Sequence, residues 1–514
     1  MYQFKIPISS SISSNYINTN DNSNIDDCSN LECILDCHLN KYRQLELDII
    51  SQLKPEYIKI NQKGFADLLS CCLETTNKIR WAKDKIENIK ESVWEEIKKA
   101  TNPYELIYAT PCIAIANIKP LSRSFFKMIE MIYEFTNGWD GNMNGLMDIP
   151  VLVSLHIAEG PGGFIEATRY IRKTKGGIND TAFGITLSNK SEYNENIKNI
   201  PAWKQSNNFL RNHPEVIISF GADGTGNIYN PDNINHLYNE IHTHCSNKDY
   251  NISNANQYAS ASASASTSDI GDIHFSNNKN IFTKLNIETT QDSSIDINSS
   301  RCKDDIRNEA IDCSKNQLVK KGHAIFITAD GGFDYSVDYN YQEQASSKLI
   351  FSQIITALKC QAINGTFICK IFDINLFITV EMIYLLHLFY KEVIIYKPFT
   401  SRIANSEKYL VCTGFKGIGN NILDKLLSIL AEWNKVNLAG HTFNRLGLEI
   451  PREFIEELKR INKTIVSNQI NVINEIMNIY YNKLNLNPEW KKENSKIQYN
   501  NAVEWCRKYK IPYN

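Results

Sequence analysis

The sequence predicts an α/β fold in which a sheet of seven strands has helices on both faces. Seven short apolar runs between residues 151 and 415 alternate with stretches of helical periodicity. Runs that are apolar throughout are typical of strands buried on both faces by connecting helices. The length of 514 residues allows about three domain-sized units, or one large domain with extensions. The composition, 42% hydrophobic and 22% charged, is that of a globular protein.

The predicted strands lie, in chain order, at residues 151–158, 182–187, 215–220, 323–328, 366–372, 392–396 and 408–413. A low-complexity insertion, predicted over residues 246–315, separates the third strand from the fourth and is rich in Asn, Ser and Asp. It leaves the sheet at the N-terminal ends of the strands, whereas ligands of open α/β sheets bind at the C-terminal ends. We therefore expect deletion of residues 251–300 to leave activity intact.

Extensions flank this region on both sides. Residues 1–40 are polar and rich in Asn and Ser, and we expect them to be poorly ordered. Residues 41–110 form a predicted helical N-terminal extension, because apolar residues recur at intervals of three or four from Trp81 to Ile97. Residues 416–514 form a predicted helical C-terminal extension, whose two apolar stripes favour packing on the core over binding a partner.

Charge and cysteine content restrict the class of protein. The 55 Lys and Arg against 57 Asp and Glu give a net charge of -2, so nucleic acid must bind a local basic patch. No apolar run of about 18 residues and no signal-like N-terminal stretch occur, which predicts an intracellular protein without a membrane partner. The 13 Cys are expected to be reduced thiols. The cluster of Cys28, Cys33, Cys37 and His38 fits no zinc spacing, so no metal is predicted.

A glycine-rich turn follows the first predicted strand. It reads AEGPGGF at residues 158–164 and leads directly into a helical stretch. Glycines let the backbone approach a ligand and the helix start offers N–H donors, so the turn fits a nucleoside-bearing cofactor. We expect a side chain at Gly160 or Gly162 to occupy the space of that cofactor. An NAD site is disfavoured, because the second strand ends in TLSN (186–189) without a carboxylate for a ribose.

Four charged residues are placed at one edge of the predicted sheet. Asp330 follows the fourth strand, Lys370 lies within the apolar fifth strand, and Glu407 directly precedes the last. Lys127 lies on an apolar helix ahead of the glycine-rich turn. A lysine in an apolar strand is either an ion-paired core residue or a functional one. Two lysines and two acids at one edge form a charge-balanced cluster.

These residues and their flanks resemble the FtsJ-type ribose 2′-O-methyltransferases, whose catalytic tetrad is Lys-Asp-Lys-Glu in this order. The similarity is greatest to the branch that methylates the first nucleotides of capped mRNA. It rests on six segments: LSRSFFK (121–127), AEGPGGF (158–164), GADGTGNIY (221–229), DGGFD (330–334), GTFICKIFD (365–373) and KPFTSRIANSEKYLVC (397–412). Two departures are Asn227, where the cap branch commonly has Asp, and the insertion after Cys245.

The resemblance implies the Rossmann-like, mostly parallel seven-stranded fold of S-adenosylmethionine-dependent methyltransferases, here over residues 111–415. It implies S-adenosyl-L-methionine as cofactor and a catalytic tetrad of Lys127, Asp330, Lys370 and Glu407. The cofactor-binding residues that it implies are Ser122, Glu159, Gly160, Pro161, Gly162, Gly163, Phe164, Asp223, Asn227 and Ile228. The RNA-binding residues that we predict are Arg123, Asn340, Lys397 and Arg402.

The tetrad suits methyl transfer to a ribose hydroxyl. That hydroxyl is a poor nucleophile until a base takes its proton, and a lysine amine can act as base only when it is neutral. Burial and a neighbouring cation favour the neutral amine. We therefore expect Lys370 to be the base and Lys127 to be the neighbouring cation, with Asp330 and Glu407 orienting both amines.

The predicted function is methylation of the cap-proximal ribose of mRNA, which yields cap 1. One alternative is the same chemistry on ribosomal or transfer RNA, and another is a non-catalytic RNA-binding or scaffold subunit. Capped RNA is the predicted partner, with other capping or transcription factors as candidate protein partners. The abundance of Asn, Ile and Lys indicates an A+T-rich genome, as in large DNA viruses or some protists. We expect a location in the nucleus, the cytoplasm or a cytoplasmic viral factory.

Overall fold

The computed structural model describes residues 2–6, 43–59, 73–108, 114–136, 145–177, 179–188, 203, 206–246, 324–333 and 339–514. The predicted insertion lies outside the described residues except for its first position, and so does the Cys28–His38 cluster. Among the described helices, none has the length and apolar character needed to cross a bilayer.

A mixed, mostly parallel sheet of eight strands forms the centre of the fold, in the order β1-β8-β9-β7-β6-β3-β4-β5. Its strands are β1 (Tyr2–Lys5), β3 (Val153–Ile157), β4 (Thr181–Ile185), β5 (Val216–Ser219), β6 (Ala324–Ala329), β7 (Gln361–Ile371), β8 (Tyr390–Lys397) and β9 (Lys408–Phe415). The pairs among β5, β4, β3, β6 and β7 are parallel, whereas β9 is antiparallel to both β7 and β8. A second, two-stranded sheet pairs β2 (Glu56–Lys59) with β10 (His441–Arg445).

Helices cover both faces of the central sheet. They are α1 (43–52), α2 (Leu73–Asp84), α3 (Glu91–Ala100), α4 (Ser124–Phe135), α5 (Gly163–Thr174), α6 (Asn207–Asn212), α7 (231–246), α8 (Gln342–Cys360), α9 (Phe377–Phe389), α10 (Asn420–Leu438), α11 (Arg452–Tyr481) and α12 (Pro488–Lys508). The buried cluster that contains residues of α7 to α10 lies against one face, and the cluster with residues of α4, α5 and α12 lies against the other. This arrangement explains why the strands are apolar at nearly every position.

All seven predicted strands are confirmed as β3 to β9, with boundaries that differ by at most five residues. Two described elements lie on either side of the predicted insertion. Helix α7 ends at residue 246 and β6 begins at Ala324, which is the N-terminal end of that strand. The chain therefore leaves and re-enters the sheet at the edge opposite the carboxyl ends of the parallel strands.

The structure adds an eighth strand that we did not predict. We expected residues 1–40 to be poorly ordered, but Tyr2–Lys5 pair antiparallel with β8, and Ile6 is 1% exposed. Ladder hydrogen bonds to β8 stabilise this edge strand. The expectation for residues 7–40 lies outside the described residues. The predicted all-helical extensions need a similar correction, because β2 and β10 join them through a short antiparallel ladder.

The two terminal extensions pack against each other. Ile79 on α2 and Trp94 on α3 share a buried cluster with Ile473 and Ile476 on α11. Ala404, from the loop between β8 and β9, belongs to the same cluster. The extensions therefore reach the part of the central sheet at which β9 begins.

Candidate active site

A cavity of about 910 Å³ opens at the carboxyl ends of the parallel strands. It is lined by residues that follow β3, β4, β6 and β7 and by the loop that leads into β9. The predicted site residues that line it are Ser122, Arg123, Glu159, Gly160, Pro161, Asn227, Ile228, Asp330, Lys370 and Glu407. Because β9 is antiparallel to β7, Glu407 at its start faces the same edge as Lys370 near the end of β7.

The glycine-rich turn forms one wall of the cavity. Ala158 has a φ of 56°, a left-handed conformation that is uncommon for a residue with a Cβ, and it places Glu159 at the cavity. Gly162 has a φ of 104° and precedes α5. An added Cβ at Gly163 would collide with the hydroxyl oxygens of Ser122 and Ser124. The turn thus packs closely against the start of α4.

The structure corrects our expectation for Gly162. A Cβ at this position would contact Trp203, Ile165 and Leu121 rather than enter the cavity. A β-branched side chain would also be strained at a φ of 104°. Gly162→Val therefore does not test cofactor binding cleanly. Phe164 is likewise fully buried in the core, where its ring lies against that of Tyr409.

Glu159 is held by a chain of buried hydrogen bonds. The Thr328 hydroxyl donates to Glu159 Oε1 at 2.8 Å, and His156 Nδ1 lies 2.8 Å from that same hydroxyl oxygen. Burial, together with the negative charge of Asp330, raises the pKa of Glu159 well above its usual range. Burial lowers the pKa of His156 to about 3, so this ring is neutral. The chain fixes the direction of the Glu159 carboxyl toward the cavity.

Two ion pairs combine the four residues of the predicted tetrad. Lys127 Nζ lies 2.6 Å from Glu407 Oε1, and Lys370 Nζ lies 3.3 Å from Asp330 Oδ1. The Lys370 amine also donates to the Asp330 backbone oxygen at 2.7 Å. Burial alone would raise the pKa of Glu407, but the charges of Lys127 and Lys370 outweigh it and lower that pKa to about 2. The Glu407 carboxyl is therefore ionised throughout the neutral pH range.

Tyr409 connects the two ion pairs, and the sequence analysis did not identify it. Its hydroxyl oxygen lies 3.1 Å from Asp330 Oδ1 and 3.4 Å from Glu407 Oε1. Burial, with the charge of Asp330, raises the pKa of Tyr409 well above its usual range, so the hydroxyl keeps its proton. The position of Tyr409 in the strand, two residues after Glu407, was the available signal, because side chains two apart share a face.

Tyr409→Phe is expected to lower turnover about tenfold, because the two carboxylates lose a shared donor while the ring that packs on Phe164 remains. Turnover at saturating substrates is the measurement, with thermal unfolding as the control for stability. Unchanged turnover in a folded variant would show that the hydroxyl contributes to packing alone.

Asp223 does not reach the cavity. It is exposed, and its carboxylate accepts hydrogen bonds within its own loop from Thr225, Asn230 and Asn233. Asn227 lines the cavity, although its side-chain oxygen accepts from the Tyr229 N–H at 3.0 Å. The GADGTGNIY segment therefore contributes Gly226 to Tyr229 to the cavity wall, with Asp223 stabilising the turn behind them.

The predicted RNA-binding cations are engaged within the protein. Lys397 is 5% exposed and donates to the backbone oxygens of Asn405 and Glu407, so the structure contradicts a phosphate contact for it. Burial, with the charge of Lys408, lowers the pKa of Lys397 to about 7. Lys397 thus supports the loop that carries Glu407.

Arg123 and Arg402 both pair with Glu105. Their guanidinium nitrogens approach Glu105 Oε1 to 2.7 and 2.6 Å. Of the two, Arg123 lines the cavity, whereas Arg402 does not. Asn340 donates to Asp84 on α2 at 2.8 Å and also lies outside the cavity lining.

The terminal extensions contribute a wall that we did not predict. Its residues are Lys83, Ile86, Trp94 and Lys98 from the N-terminal extension and Gln469 from α11. Burial lowers the pKa of Lys98, while its neighbour Glu95 opposes that change. The sequence offered no distinguishing signal, because apolar and charged residues at helical spacing are typical of any surface helix.

Comparison with known proteins gives the chain a family. A family model described as FtsJ-like methyltransferase matches residues 120–415. Three similar proteins are each named cap-specific mRNA (nucleoside-2′-O-)-methyltransferase 1. The one from Mus musculus is 26% identical over 405 residues, or 74% of this chain and 36% of that protein. The one from Homo sapiens is 35% identical over 158 residues, or 29% of this chain and 19% of that protein.

The third, from Leishmania braziliensis, is 33% identical over 178 residues, which are 33% of this chain and 43% of that protein. The aligned part is thus less than half the length of each of these relatives. The family match itself extends over more than half of the present sequence and includes all four tetrad positions. The chain therefore belongs to the FtsJ-like methyltransferase family.

Proposed function

We propose that this protein is an S-adenosylmethionine-dependent RNA ribose 2′-O-methyltransferase that acts on the cap-proximal nucleotide of mRNA. The observation that carries the proposal is the pairing of Lys370 with Asp330 in the cavity lining and of Lys127 with the lining residue Glu407, beside the glycine-rich turn. The names of the three relatives support the choice of capped mRNA as substrate.

The cavity fits a nucleoside cofactor on three counts. Its volume of about 910 Å³ is at the upper end for small-molecule pockets and leaves room for a second ligand. Its lining combines apolar Ala158, Leu187 and Ile228 with backbone groups of the turn. The buried Glu159 carboxyl supplies one fixed polar contact. Glu159, Gly160 and Ile228 would hold S-adenosylmethionine, which supplies a methyl group activated on a sulfonium.

Lys370 is the base in the proposed mechanism. A neutral amine has two N–H hydrogens and one lone pair. The backbone oxygen and Oδ1 of Asp330, at 2.7 and 3.3 Å, can accept both hydrogens, which directs the lone pair toward a proton of the ribose hydroxyl. The Lys127 cation neutralises Glu407, which would otherwise favour the protonated form of Lys370. Further rate enhancement would come from holding the ribose 2′-hydroxyl close to the methyl group that it receives.

Exposed aromatic side chains in the cavity lining support an RNA ligand. Phe333 is 50% exposed and Tyr339 is 36% exposed, so each offers a surface on which a base can stack. Arg123 adds a cation near the tetrad. A ribosomal or transfer RNA substrate and a non-catalytic scaffold remain the two competing hypotheses.

The deciding experiment measures methyl transfer to matched RNAs that carry a methylated cap, an unmethylated cap or a 5′-triphosphate. Transfer to the 2′-oxygen of the first nucleotide that depends on the cap supports the proposal. Equal transfer to uncapped or structured RNA favours the first alternative. Absence of transfer to any RNA, with RNA binding retained, favours the scaffold.

Glu159→Ala is expected to weaken S-adenosylmethionine binding by about tenfold or more, because the variant loses the fixed carboxyl in the cavity wall. Calorimetric titration gives the dissociation constant. Glu166→Ala is the matched control, since Glu166 on α5 also accepts a hydrogen bond but does not line the cavity. Equal affinity in Glu159→Ala and the wild type would place the cofactor elsewhere.

A further inference from the structure

Two backbone segments carry Lys370 and Glu407 to the cavity. One runs from the end of β7 through Asp373, and the other is the turn from Ala404 to Glu407 that leads into β9. A hydrogen bond joins them, because the Ser406 hydroxyl donates to Asp373 Oδ2 at 3.1 Å. Ser406, which directly precedes Glu407, is thus in buried contact with Asp373, which lies three residues after Lys370.

Both terminal extensions hold this junction. Lys83 Nζ on α2 donates to Asp373 Oδ2 at 2.7 Å. Gln469 Nε2 on α11 donates to the Ala404 backbone oxygen at 2.9 Å and approaches the Ser406 hydroxyl oxygen at 3.4 Å. Lys83 and Gln469 lie outside the family match over residues 120–415. We call the four side chains Lys83, Asp373, Ser406 and Gln469 the polar relay.

Loss of a contact within the polar relay destabilises the folded protein, because all four side chains are buried. Burial alone would raise the pKa of Asp373, but the charges of Lys83 and Lys408 outweigh it and lower that pKa. The Asp373 carboxylate is thus ionised, and among the residues that the structure describes its Oδ1 has no hydrogen-bond partner. The carboxylate therefore depends on its Oδ2 contacts and nearby charges, and loss of a donor lets the two segments move apart.

We infer that the polar relay positions Glu407 and Lys370, so that the terminal extensions set the rate of the chemical step. The inference rests on the proposed function. Lys83, Ser406 and Gln469 also line the cavity, so the competing explanation is direct contact with RNA. The two explanations differ in kinetics, because a positioning residue lowers kcat whereas a substrate contact raises KM.

Gln469→Leu is the main test, since leucine keeps an apolar stem of similar reach and removes both donated hydrogen bonds. We expect kcat with capped RNA to fall about tenfold, with KM for RNA and the cofactor dissociation constant changed less than about twofold. Gln498→Leu is the matched control. Gln498 is also a buried glutamine of the C-terminal extension, and it donates to backbone oxygens of Lys99, Ala100 and Asn102 away from the cavity.

Two further readouts separate positioning from general stability. Amide hydrogen exchange of residues 404–408 is expected to be faster in Gln469→Leu and unchanged in Gln498→Leu. In a Glu407→Gln background, Gln469→Leu is expected to cause little additional loss of rate, because Gln469 contacts the turn that carries Glu407 and therefore acts chiefly through that carboxylate. Ser406→Ala gives the same set of measurements if Gln469→Leu fails to fold.

Equal loss of kcat in Gln498→Leu, a rise in KM alone, or full multiplicative losses in the Glu407→Gln background would each overturn the inference. Unchanged exchange of residues 404–408 would overturn it as well. A wild-type protein that methylates no RNA, or a Glu407→Gln variant with wild-type rate, would instead refute the proposed function. The exchange comparison then still decides whether the polar relay holds the two segments.

Discussion

Replacement of Lys370 by methionine is expected to lower turnover with capped RNA by about two orders of magnitude or more. Methionine retains an unbranched side chain of similar length at this position of β7, but it has no lone pair on nitrogen to accept the ribose proton. The fold and the cofactor affinity are expected to persist, because the hydrogen bond and the ion pair of the amine with Asp330 lie at the cavity wall. Single-turnover methyl transfer is the measurement, since it isolates the chemical step.

Lys359→Met is the matched control for that variant. Lys359 is 5% exposed at the end of α8 and does not line the cavity. If Lys370→Met unfolds while Lys359→Met folds, Lys370 is a structural, ion-paired lysine. If Lys370→Met folds, binds the cofactor and methylates at a rate near that of the wild type, the tetrad and its mechanism are wrong.

Lys370→Arg separates the base from the positive charge. A guanidinium keeps the charge beside Asp330 but is not neutral near pH 7, so this variant is also expected to lose activity. Substantial activity in Lys370→Arg would indicate that the charge of Lys370, rather than its basicity, supports the reaction.

The central sheet was predictable because burial on both faces requires apolar residues at nearly every position of a strand. Strands such as β3 and β6 are apolar at nearly every position, and helical stretches separate them. β1 and β2 have four residues each, and such short edge ladders depend on a partner strand far away in the chain. β1 pairs with a strand about 390 positions later, a contact that local periodicity does not encode.

The candidate site was predictable only where topology determines it. Asp330, Lys370 and Glu407 follow or precede strands, so their common edge follows from the strand order. Strand order does not predict the direction in which a charged side chain points. Lys397 on β8 is buried within the protein, whereas Lys370 on β7 reaches the cavity. Charge counts do not distinguish these two lysines.

The cavity wall from the extensions was not predictable for another reason. Trp94 and Gln469 occupy helix faces that also form the ordinary packing between α3 and α11. Their second role depends on how the two extensions meet the loop before β9, which is a tertiary contact. The polar relay therefore could be found only once the helices were in place.

Lys127→Met is expected to lower turnover at pH 7 by about 30-fold to 100-fold, with partial recovery as the pH rises. Lys127 is the 2.6 Å partner of Glu407, and the pKa of Glu407 is lowered to about 2 against the effect of burial by the charges of Lys127 and Lys370. Without Lys127, the Glu407 carboxylate is neutralised chiefly by Lys370. That interaction favours the protonated form of Lys370, which cannot accept the ribose proton.

The change of the rate ratio with pH tests whether Lys127 acts on the protonation of Lys370. A higher pH favours the neutral form of an amine base, so the ratio of wild-type to Lys127→Met rates is expected to narrow as the pH rises. Lys127→Arg restores a cation beside Glu407 and is expected to recover much of the rate at pH 7. A ratio that stays constant with pH would mean that Lys127 acts by holding Glu407 in place, because a purely geometric loss does not depend on the protonation of Lys370.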